Sequence, residues 1–591
     1  MCGIAGMMAT VAGGPSASIL ERMGEAIAHR GPDGTGTYRE ADVAFVHNRL
    51  AIIDLVTGDQ PLREGGGAAL VANGEIYNHV ELRSALGDFP FRTQSDCEPP
   101  LALYRRDGLA FAETLRGMYA IALHDPRAKR LVLARDPFGI KPLYYAQGPE
   151  GLAFASEAQA LRAAGFGTGR LRADKRAELL EMQFQTGDAT IFEGIMRLLP
   201  GDTIVVGGGR VIERRNRTAL PAGRPVVRSH EDALLEFDRV FQESVGIHQR
   251  SDVPYGMFLS GGVDSSAVLA MMARLNERPV RAFTAHFPDT DAADERSAAR
   301  RVAKACRAEL SEVPVTAADF WAHLPAIAAA MDDPAADYAC VPTWLLARAA
   351  RADGLKVVLS GEGGDELFAG YGRYRSTLKP WWLGGRAMRR RGTFENLGVL
   401  RADTRGWRDG IGAAETMART AERTRLQVAQ AVDVADWLPN DLLAKLDRCL
   451  MAHGVEGRTP FLDSQVADFA FRLPDAMKVH KRWGKWLLRG WLERTMPAAR
   501  AFAPKQGFTV PVQRWIAGEG ARLGPLVAAA AGIVEIADAA PVVRLFAKAE
   551  DKRAGFAAWT LLFYALWHRR HVQGMAPAGD VFHALDTARA A

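Results

Sequence analysis

Cys2 stands directly behind the initiator methionine. Its side chain is small enough for Met1 to be removed, which would leave a thiol and a free α-amine on one residue. An α-amine has an ordinary pKa of about 7.7–8.0, so near neutral pH it can take the thiol proton without help from a histidine. A lone cysteine at position two is usually inert, so the reading turns on its company. His29-Arg30-Gly31-Pro32-Asp33, Arg49-Leu50-Ala51-Ile52-Ile53-Asp54, Asn73-Gly74-Glu75-Ile76-Tyr77-Asn78 and Ser95-Asp96-Cys97-Glu98 follow in order. Arg49 can grip an α-carboxylate through paired N–H groups, and Glu75 and Asp96 can hold an ammonium. The Asn73 amide and the Gly74 N–H are donors of the kind a tetrahedral oxyanion needs.

A second set of residues suits a polyphosphate. Ser260-Gly261-Gly262-Val263-Asp264-Ser265-Ser266 offers hydroxyls and a tight glycine turn. A helix N-terminus behind such a turn adds unpaired N–H groups and a favourable dipole. Asp264 can hold Mg²⁺ on the phosphates, because a hard cation prefers carboxylate oxygen. No G-x-x-x-x-G-K-[ST] occurs, which excludes a Walker loop. Further on, Ser360-Gly361-Glu362-Gly363-Gly364-Asp365-Glu366 packs three acids among glycines, a costly composition for a mere surface turn.

The surrounding patterns predict the elements that carry these residues. Up to residue 213 the chain alternates short β-type runs (43–47, 70–72, 119–123, 130–134, 152–155) with turn signals, Asn73-Gly74 among them, and ends in a hairpin over 203–213. Residues 216–228 hold prolines and arginines without apolar periodicity and read as a linker. Leu234, Phe237, Phe241 and Val245 then share one helical face. Strands over 253–259, 280–287 and 355–359, alternating with helices over 265–275 and 343–352, indicate a parallel α/β sheet. The chain beyond about Lys379 is mostly helical by pattern. Trp559, Phe563, Tyr564 and Trp567 have the spacing of a packed helix face.

Composition narrows the class. With 591 residues, 48% hydrophobic and 24% charged, the chain has ample length for several buried cores. The net charge of +5 is small for this length and shows no dense basic block, which speaks against a nucleic-acid binder. Five scattered cysteines without a C-x-x-C pair indicate neither a disulfide framework nor a zinc site. No signal peptide or spanning segment is read, so the expected address is the cytoplasm and no membrane partner is expected.

At Cys2 and its four following motifs the sequence resembles the glutamine amidotransferases with an N-terminal nucleophile. The S-G-G-x-D-S loop resembles that of the ATP pyrophosphatases. With the acidic cluster, Asp333-Pro334, Val341-Pro342-Thr343, Gly457-Arg458-Thr459-Pro460-Phe461-Leu462-Asp463, Gly484-Lys485 and Pro504-Lys505-Gln506-Gly507-Phe508, the chain resembles the glutamine-hydrolysing asparagine synthetases. The resemblance implies an α+β N-terminal-nucleophile hydrolase domain, an αββα sandwich, followed by an α/β parallel-sheet ATP-pyrophosphatase domain with a helical C-terminal part. The expected division is 1–214 glutaminase, 215–229 linker, 230–520 synthetase and 521–591 helical extension.

It also implies roles. Cys2 releases ammonia from glutamine through a thioester, with Asn73 and Gly74 as oxyanion donors. Arg49, Leu50, Ala51, Ile52, Ile53, Asn73, Gly74, Glu75 and Asp96 contact glutamine. Leu259, Ser260, Gly261, Gly262, Asp264, Ser265, Ser266, Ala285, Ser360 and Gly361 face ATP, and Asp264 and Asp365 hold Mg²⁺. Glu362 serves as base or organiser, and Lys505 stabilises charge at the α-phosphate. Lys485 is a second candidate for that place, weighed against a solvated surface lysine. The implied substrates are glutamine, aspartate and ATP, and a homodimer is left open. Relatives that close rings generally lack a working Cys2, so its presence favours ammonia transfer. Tyr338-Ala339-Cys340 does not declare aspartate. Three readings stand: asparagine synthesis, amidation of another carboxylate in a specialised or cell-surface pathway, and a non-catalytic glutamine or nucleotide sensor.

Overall fold

The structure, a computed structural model, describes residues 2–10, 14–65, 67–288, 296–383, 385, 388–504 and 510–586. Two six-stranded antiparallel sheets form the N-terminal part. One runs in the order Met196–Arg197, Tyr144–Gly148, Gly151–Ala155, Gly3–Ala9, Val43–Arg49 and Gly34–Glu40. The other runs Arg210–Asn216, Asp202–Gly207, Arg130–Arg135, Gly117–Asp125, Ala69–Ile76 and Leu62–Arg63. Alternate residues of a strand face opposite sides. Ile4 and Met8 therefore pack between the sheets with Phe45, Val71 and Phe154, while Ala5 and Met7 meet Met23, Ile27 and Leu161 on the helix side. Leu70 and Ala72 meet Leu101 and Leu103 beyond the second sheet. The result is an αββα sandwich.

The second part is built on a parallel sheet in the order Glu309–Pro314, Arg281–His286, Tyr255–Phe258, Val357–Leu359 and Glu456–Arg458. Helices cover both faces. Met257 and Leu359 pack with Phe241 and Val268, whereas Val358 and Phe283 pack with Ile327 and Leu345. Strand order reverses between Tyr255–Phe258 and Val357–Leu359, and a crevice opens beyond the carboxyl ends of strands at such a point. The loops that follow these two strands, 260–262 and 360–363, are the glycine-rich ones picked out in the sequence.

Three sequence expectations are corrected or extended. Asn73 and Gly74 do not form a turn; they lie inside the strand Ala69–Ile76, paired with Ala120 and Tyr119. A Cβ at Gly74 would run into the Met118 carbonyl, so the glycine serves close strand packing. The strands Glu309–Pro314 and Glu456–Arg458 were not anticipated, because their polar sequences lack the apolar run of a buried strand. Residues 217–228 form neither helix nor strand, yet Leu220 is buried and the Val226 N–H donates to the Arg472 carbonyl at 2.7 Å.

The helix Lys552–His571 buries Trp559, Phe563, Tyr564 and Trp567 completely. Trp559 Nε1 donates to the Ala336 carbonyl at 2.7 Å and Trp567 Nε1 to that of Met331 at 2.9 Å. These aromatic residues thus clamp the segment leading into Cys340–Ala352, a helix that walls the crevice. Among the described residues no helix is long and apolar enough to cross a membrane.

At the seam between the two parts, Asp436 accepts the Gly187 N–H at 2.7 Å. Burial pushes its carboxyl up to about 6. The unfolded value is about 3.9, so the neutral form favours the folded chain at low pH, and that stability is lost as pH rises through about 6. Asp436→Asn keeps an acceptor without the ionisation. Relative to wild type, its unfolding free energy should rise by about 2 kcal/mol between about pH 4.5 and 7.5 in urea titrations. A difference that does not change with pH would contradict the assignment.

Candidate active sites

Cys2 immediately precedes the strand Gly3–Ala9 of the first sheet and is almost fully buried. Its backbone N–H donates to Asn73 Oδ1 at 3.2 Å, which leaves the buried Asn73 Nδ2 without a hydrogen-bond partner in the protein. An orphaned donor beside a thiol is where an oxyanion could be received. Burial pushes the Cys2 thiol up, and the amino-terminal charge and the Leu50 N–H pull it back. Glu75 and Asp96 are both buried, and Asp96 is held by the Ile76 N–H at 2.7 Å. Burial, then Asp96, raises the Glu75 carboxyl well above its ordinary value. An arriving ammonium would reverse both effects.

Arg49 is placed differently from its neighbours. Its guanidinium bonds the exposed Asp59 carboxylate at 2.7 Å and the Asp54 carbonyl at 2.5 Å. The Arg49 guanidinium is thus already paired with a carboxylate of the chain itself. Leu50 and Ile52 are buried, whereas Ala51 and Ile53 are half-buried. The Ala51 N–H donates to Asp33, which is also bound by Lys356 of the second part at 2.8 Å.

At the crevice, Gly261 adopts φ +73°, which lets the chain turn back, and a Cβ there would strike Ala299. Ser260 and Ser265 hydroxyls lie 3.0 Å apart, and the Gly262 N–H donates to Ser260 Oγ at 3.2 Å. The helix Val263–Leu275 starts here with no side-chain cap, leaving its first N–H groups open to a ligand. Gly361 packs so close to Asp264 and Ser265 that a side chain would not fit. Ser266 and Ser360 hydroxyls are buried without a partner in the protein.

Asp264 and Asp365 converge on one cation. Lys485 bonds Asp365 at 2.6 Å and also bonds Asp264. It is buried, with φ +57°, so the solvated-surface reading of Lys485 is corrected. Burial works against its charge, but the two carboxylates push its pKa up. Two carboxylates that share one ammonium have the spacing and hardness to share Mg²⁺ with phosphate oxygens. Among the described residues no cluster of three or more candidate ligands exists, so the nucleotide would have to supply oxygens. Lys505 lies outside the described residues.

A cavity of about 320 Å³ joins these groups, with Leu259, Ala285, Leu346, Thr343, Glu362 and Lys445 among its walls. Lys445 and Asp337, which sequence reasoning missed, pair at 2.7 Å. Burial raises the Glu362 carboxyl and Lys445 partly offsets it. No local signal could have found this pair, since its members lie 108 positions apart. A larger cavity of about 570 Å³ lies at the seam, away from this chemistry. There Arg162, from its lining, donates to the carbonyl of His571 near a helix end, so its charge already has a structural use.

The glutamine amidotransferase domain pattern matches residues 1–216, and the asparagine synthase pattern matches residues 236–569. The chain belongs to the asparagine synthase family. It is 35% identical, over 97% of its length and 98% of the relative's, to a Mycobacterium tuberculosis protein provisionally named glutamine-hydrolysing asparagine synthetase. Asparagine synthetase 1 of Bacillus subtilis is 32% identical over 85% of each chain. Amidase chyE of Penicillium rubens is 33% identical over 61% of this chain and 56% of its own. A solved B. subtilis glutamine phosphoribosylpyrophosphate amidotransferase overlaps 53% of this chain and 65% of its own, at 18% identity and a TM-score of 0.27, a likeness too slight to argue from. Membership of the asparagine synthase family, with an amidotransferase domain attached, supports glutamine-dependent amidation with ATP as a substrate.

One buried network joins the two halves of this family member. Arg30, wholly buried, donates to the Cys2 carbonyl at 3.2 Å, to Glu157 at 2.7 Å and to Asp447 at 2.8 and 3.1 Å. Arg448 continues it to Asp447 at 2.9 Å and Asp332 at 2.7 Å. Removing one member leaves buried charge uncompensated. Arg30→Met should therefore lose about 3–5 kcal/mol in denaturant unfolding. A loss below about 1 kcal/mol, the range of exposed pairs, would contradict the network's weight.

Proposed function

We propose that the chain makes asparagine, moving ammonia from glutamine to aspartate through a β-aspartyl-AMP intermediate. Once Met1 is removed, the Cys2 amine takes the thiol proton and the thiolate attacks the glutamine side-chain carbonyl. Asn73 Nδ2 and the Gly74 N–H receive the oxyanion, a thioester forms as ammonia leaves, and water releases glutamate. Arg49 holds the substrate α-carboxylate in place of Asp59, and Glu75 and Asp96 hold its ammonium.

At the crevice an aspartate side-chain oxygen attacks the α-phosphorus of ATP, and the bond to pyrophosphate breaks. Ser260, Gly261, Gly262, Ser265, Ser266, Ser360 and Gly361 wrap the phosphates, with Leu259 and Ala285 against the nucleoside. Lys485 offsets charge gathering on the phosphates, a role shared with Lys505. Asp264 and Asp365 would hold Mg²⁺, which supplies charge neutralisation on phosphate oxygens when bound. Ammonia then attacks the acyl carbonyl, Glu362 takes its proton, and AMP departs with the carbonyl–oxygen bond pair. Lys445 offers the acceptor a cation beside Glu362. Small-molecule substrates, the cytoplasm as compartment, and a homodimer left open complete the reading.

The observation that carries this proposal is Glu362 and Lys445 facing the 260–266 loop across one cavity at the strand-order reversal. The apolar walls beside them, Ala339, Pro342, Leu442 and Leu446, favour a second reading, in which the same mechanism amidates a different carboxylate. Incubation of the purified protein with Mg-ATP, amide-labelled glutamine and a panel of carboxylic acids separates the two. AMP, pyrophosphate and labelled asparagine should form together with aspartate. Amide from another acid, and none from aspartate, would replace the first reading with the second. In the same assay Cys2→Ala should abolish glutamine-dependent synthesis and spare synthesis from ammonia; loss of both would contradict the division between sites.

A further inference from the structure

Arg458 spans the seam between the two candidate sites without lining the crevice itself. Its backbone lies in the edge strand Glu456–Arg458, in register with Val357–Leu359, and its carbonyl accepts the Ser360 N–H at 2.8 Å. Ser360 opens the loop that carries Gly361 and Glu362. Its side chain points the other way, across the seam. The guanidinium is wholly buried, with Nε on Glu456 at 2.6 Å and Nη1 on the carbonyls of His248 and Arg250 at 2.9 and 2.6 Å. These three bonds fix the plane of a rigid fork. The remaining nitrogen, Nη2, stands 3.3 Å from Glu75 Oε2, beside Asn73 and Gly74.

That last contact is close but not a hydrogen bond. Arg458 Nη2 and Glu75 Oε2 are both buried and stand as a long ion pair across the seam in which neither atom completes a hydrogen bond. The 3.3 Å separation is already within hydrogen-bond reach, so a reorientation of either group would complete the bond. Glu75 is not drawn firmly to Arg458 here, because burial and the neighbouring Asp96 and Glu456 all disfavour its charge. A substrate ammonium seated against Glu75 and Asp96 would restore that charge and make the closed contact the favoured one.

Building on the two-site reading above, we infer that Arg458 is a positioning residue coupling the glutamine site to the nucleotide loop. The contact between Arg458 Nη2 and Glu75 closes when glutamine is bound. The fork is tied to its own strand, so closure moves Glu456–Arg458 against Val357–Leu359 and resets Ser360, Gly361 and Glu362. Coupling of this kind is reciprocal: nucleotide that orders the 360–362 loop favours the closed contact and tightens glutamine binding. The mechanism needs no residue to travel between the sites, only two arrangements of one buried ion pair.

The test uses the full chain. Glutamate release is measured over a range of glutamine concentrations, with and without magnesium and a non-hydrolysable ATP analogue, so no acceptor need be known. In wild type the analogue should lower KM for glutamine by about tenfold, within the usual span of coupling between sites. Arg458→Lys keeps the charge but not the fork. It should abolish that shift while its kcat for glutamate release without nucleotide stays within about threefold of wild type. Glu456→Gln loosens the fork at its anchor and should give a shift between the two, which keeps the test available if Arg458→Lys folds poorly. A purely structural role would lower glutamate release in both conditions and leave the KM ratio unchanged, and that result would overturn the inference. So would a wild-type KM indifferent to the analogue, a result that leaves the acceptor panel and the proposed function standing.

Discussion

Arg30 sits where water does not reach, between a carboxylate of the first part and one of the second. A guanidinium in such a place must be paired on every side or it destabilises the fold. Glu157, Asp447 and the Cys2 carbonyl meet that demand, and Arg448 with Asp332 extends the same alternation of sign into the parallel-sheet part. Because these bonds are short and directional, they set more than stability. They fix Cys2, just ahead of the strand Gly3–Ala9, relative to the helix Ala444–Met451, which carries Lys445 on the wall of the crevice.

The crevice obeys the same rule at higher charge density. Asp264, Glu362 and Asp365 line one cavity; Lys485 pairs with the two aspartates, and the charge of Lys445, itself paired with Asp337, offsets the burial of Glu362. Glycine does the remaining work. A side chain at Gly261 would strike Ala298 and Ala299 in the helix Arg296–Ala305, and one at Gly361 or Gly364 would strike Asp264 at the start of the helix Val263–Leu275. The 360–364 segment can therefore lie against the first turn of the helix Val263–Leu275, beside the Ser260 and Ser265 hydroxyls. The helical C-terminal stretch contributes from a distance, through indole N–H groups on the Met331 and Ala336 carbonyls that hold the approach to the crevice wall.

Much of this was legible in the sequence, because the chemistry is local there. Cys2 and its four motifs, the glycine loop at 260–262 and the acidic loop at 360–366 are runs of adjacent residues. The apolar strands Tyr255–Phe258, Arg281–His286 and Val357–Leu359 fall within the runs expected for them. What stayed hidden depends on distant partners. Arg30 and Asp447 are 417 positions apart, and nothing in the neighbourhood of either points to the other. Lys445 looks like an ordinary helical lysine until Asp337 is folded against it. Glu456-Gly457-Arg458 has no strand pattern, since an edge strand that faces another domain can carry charge. Lys485 ranked below Lys505 for a related reason: a basic stretch usually means solvent, and only the two aspartates explain its burial. Asn73-Gly74 misled in the opposite sense, as a turn dipeptide that strand packing requires in mid-sheet.

The central claim is that the crevice activates a carboxylate as its adenylate before ammonia arrives. Oxygen-18 in the acceptor's side-chain carboxylate tests it most directly. Attack on the α-phosphorus followed by displacement of AMP leaves one acceptor oxygen on the phosphate, so mass spectrometry of AMP from a full turnover should show one heavy oxygen per amide formed. AMP free of label, or label appearing instead in inorganic phosphate, would contradict the adenylate.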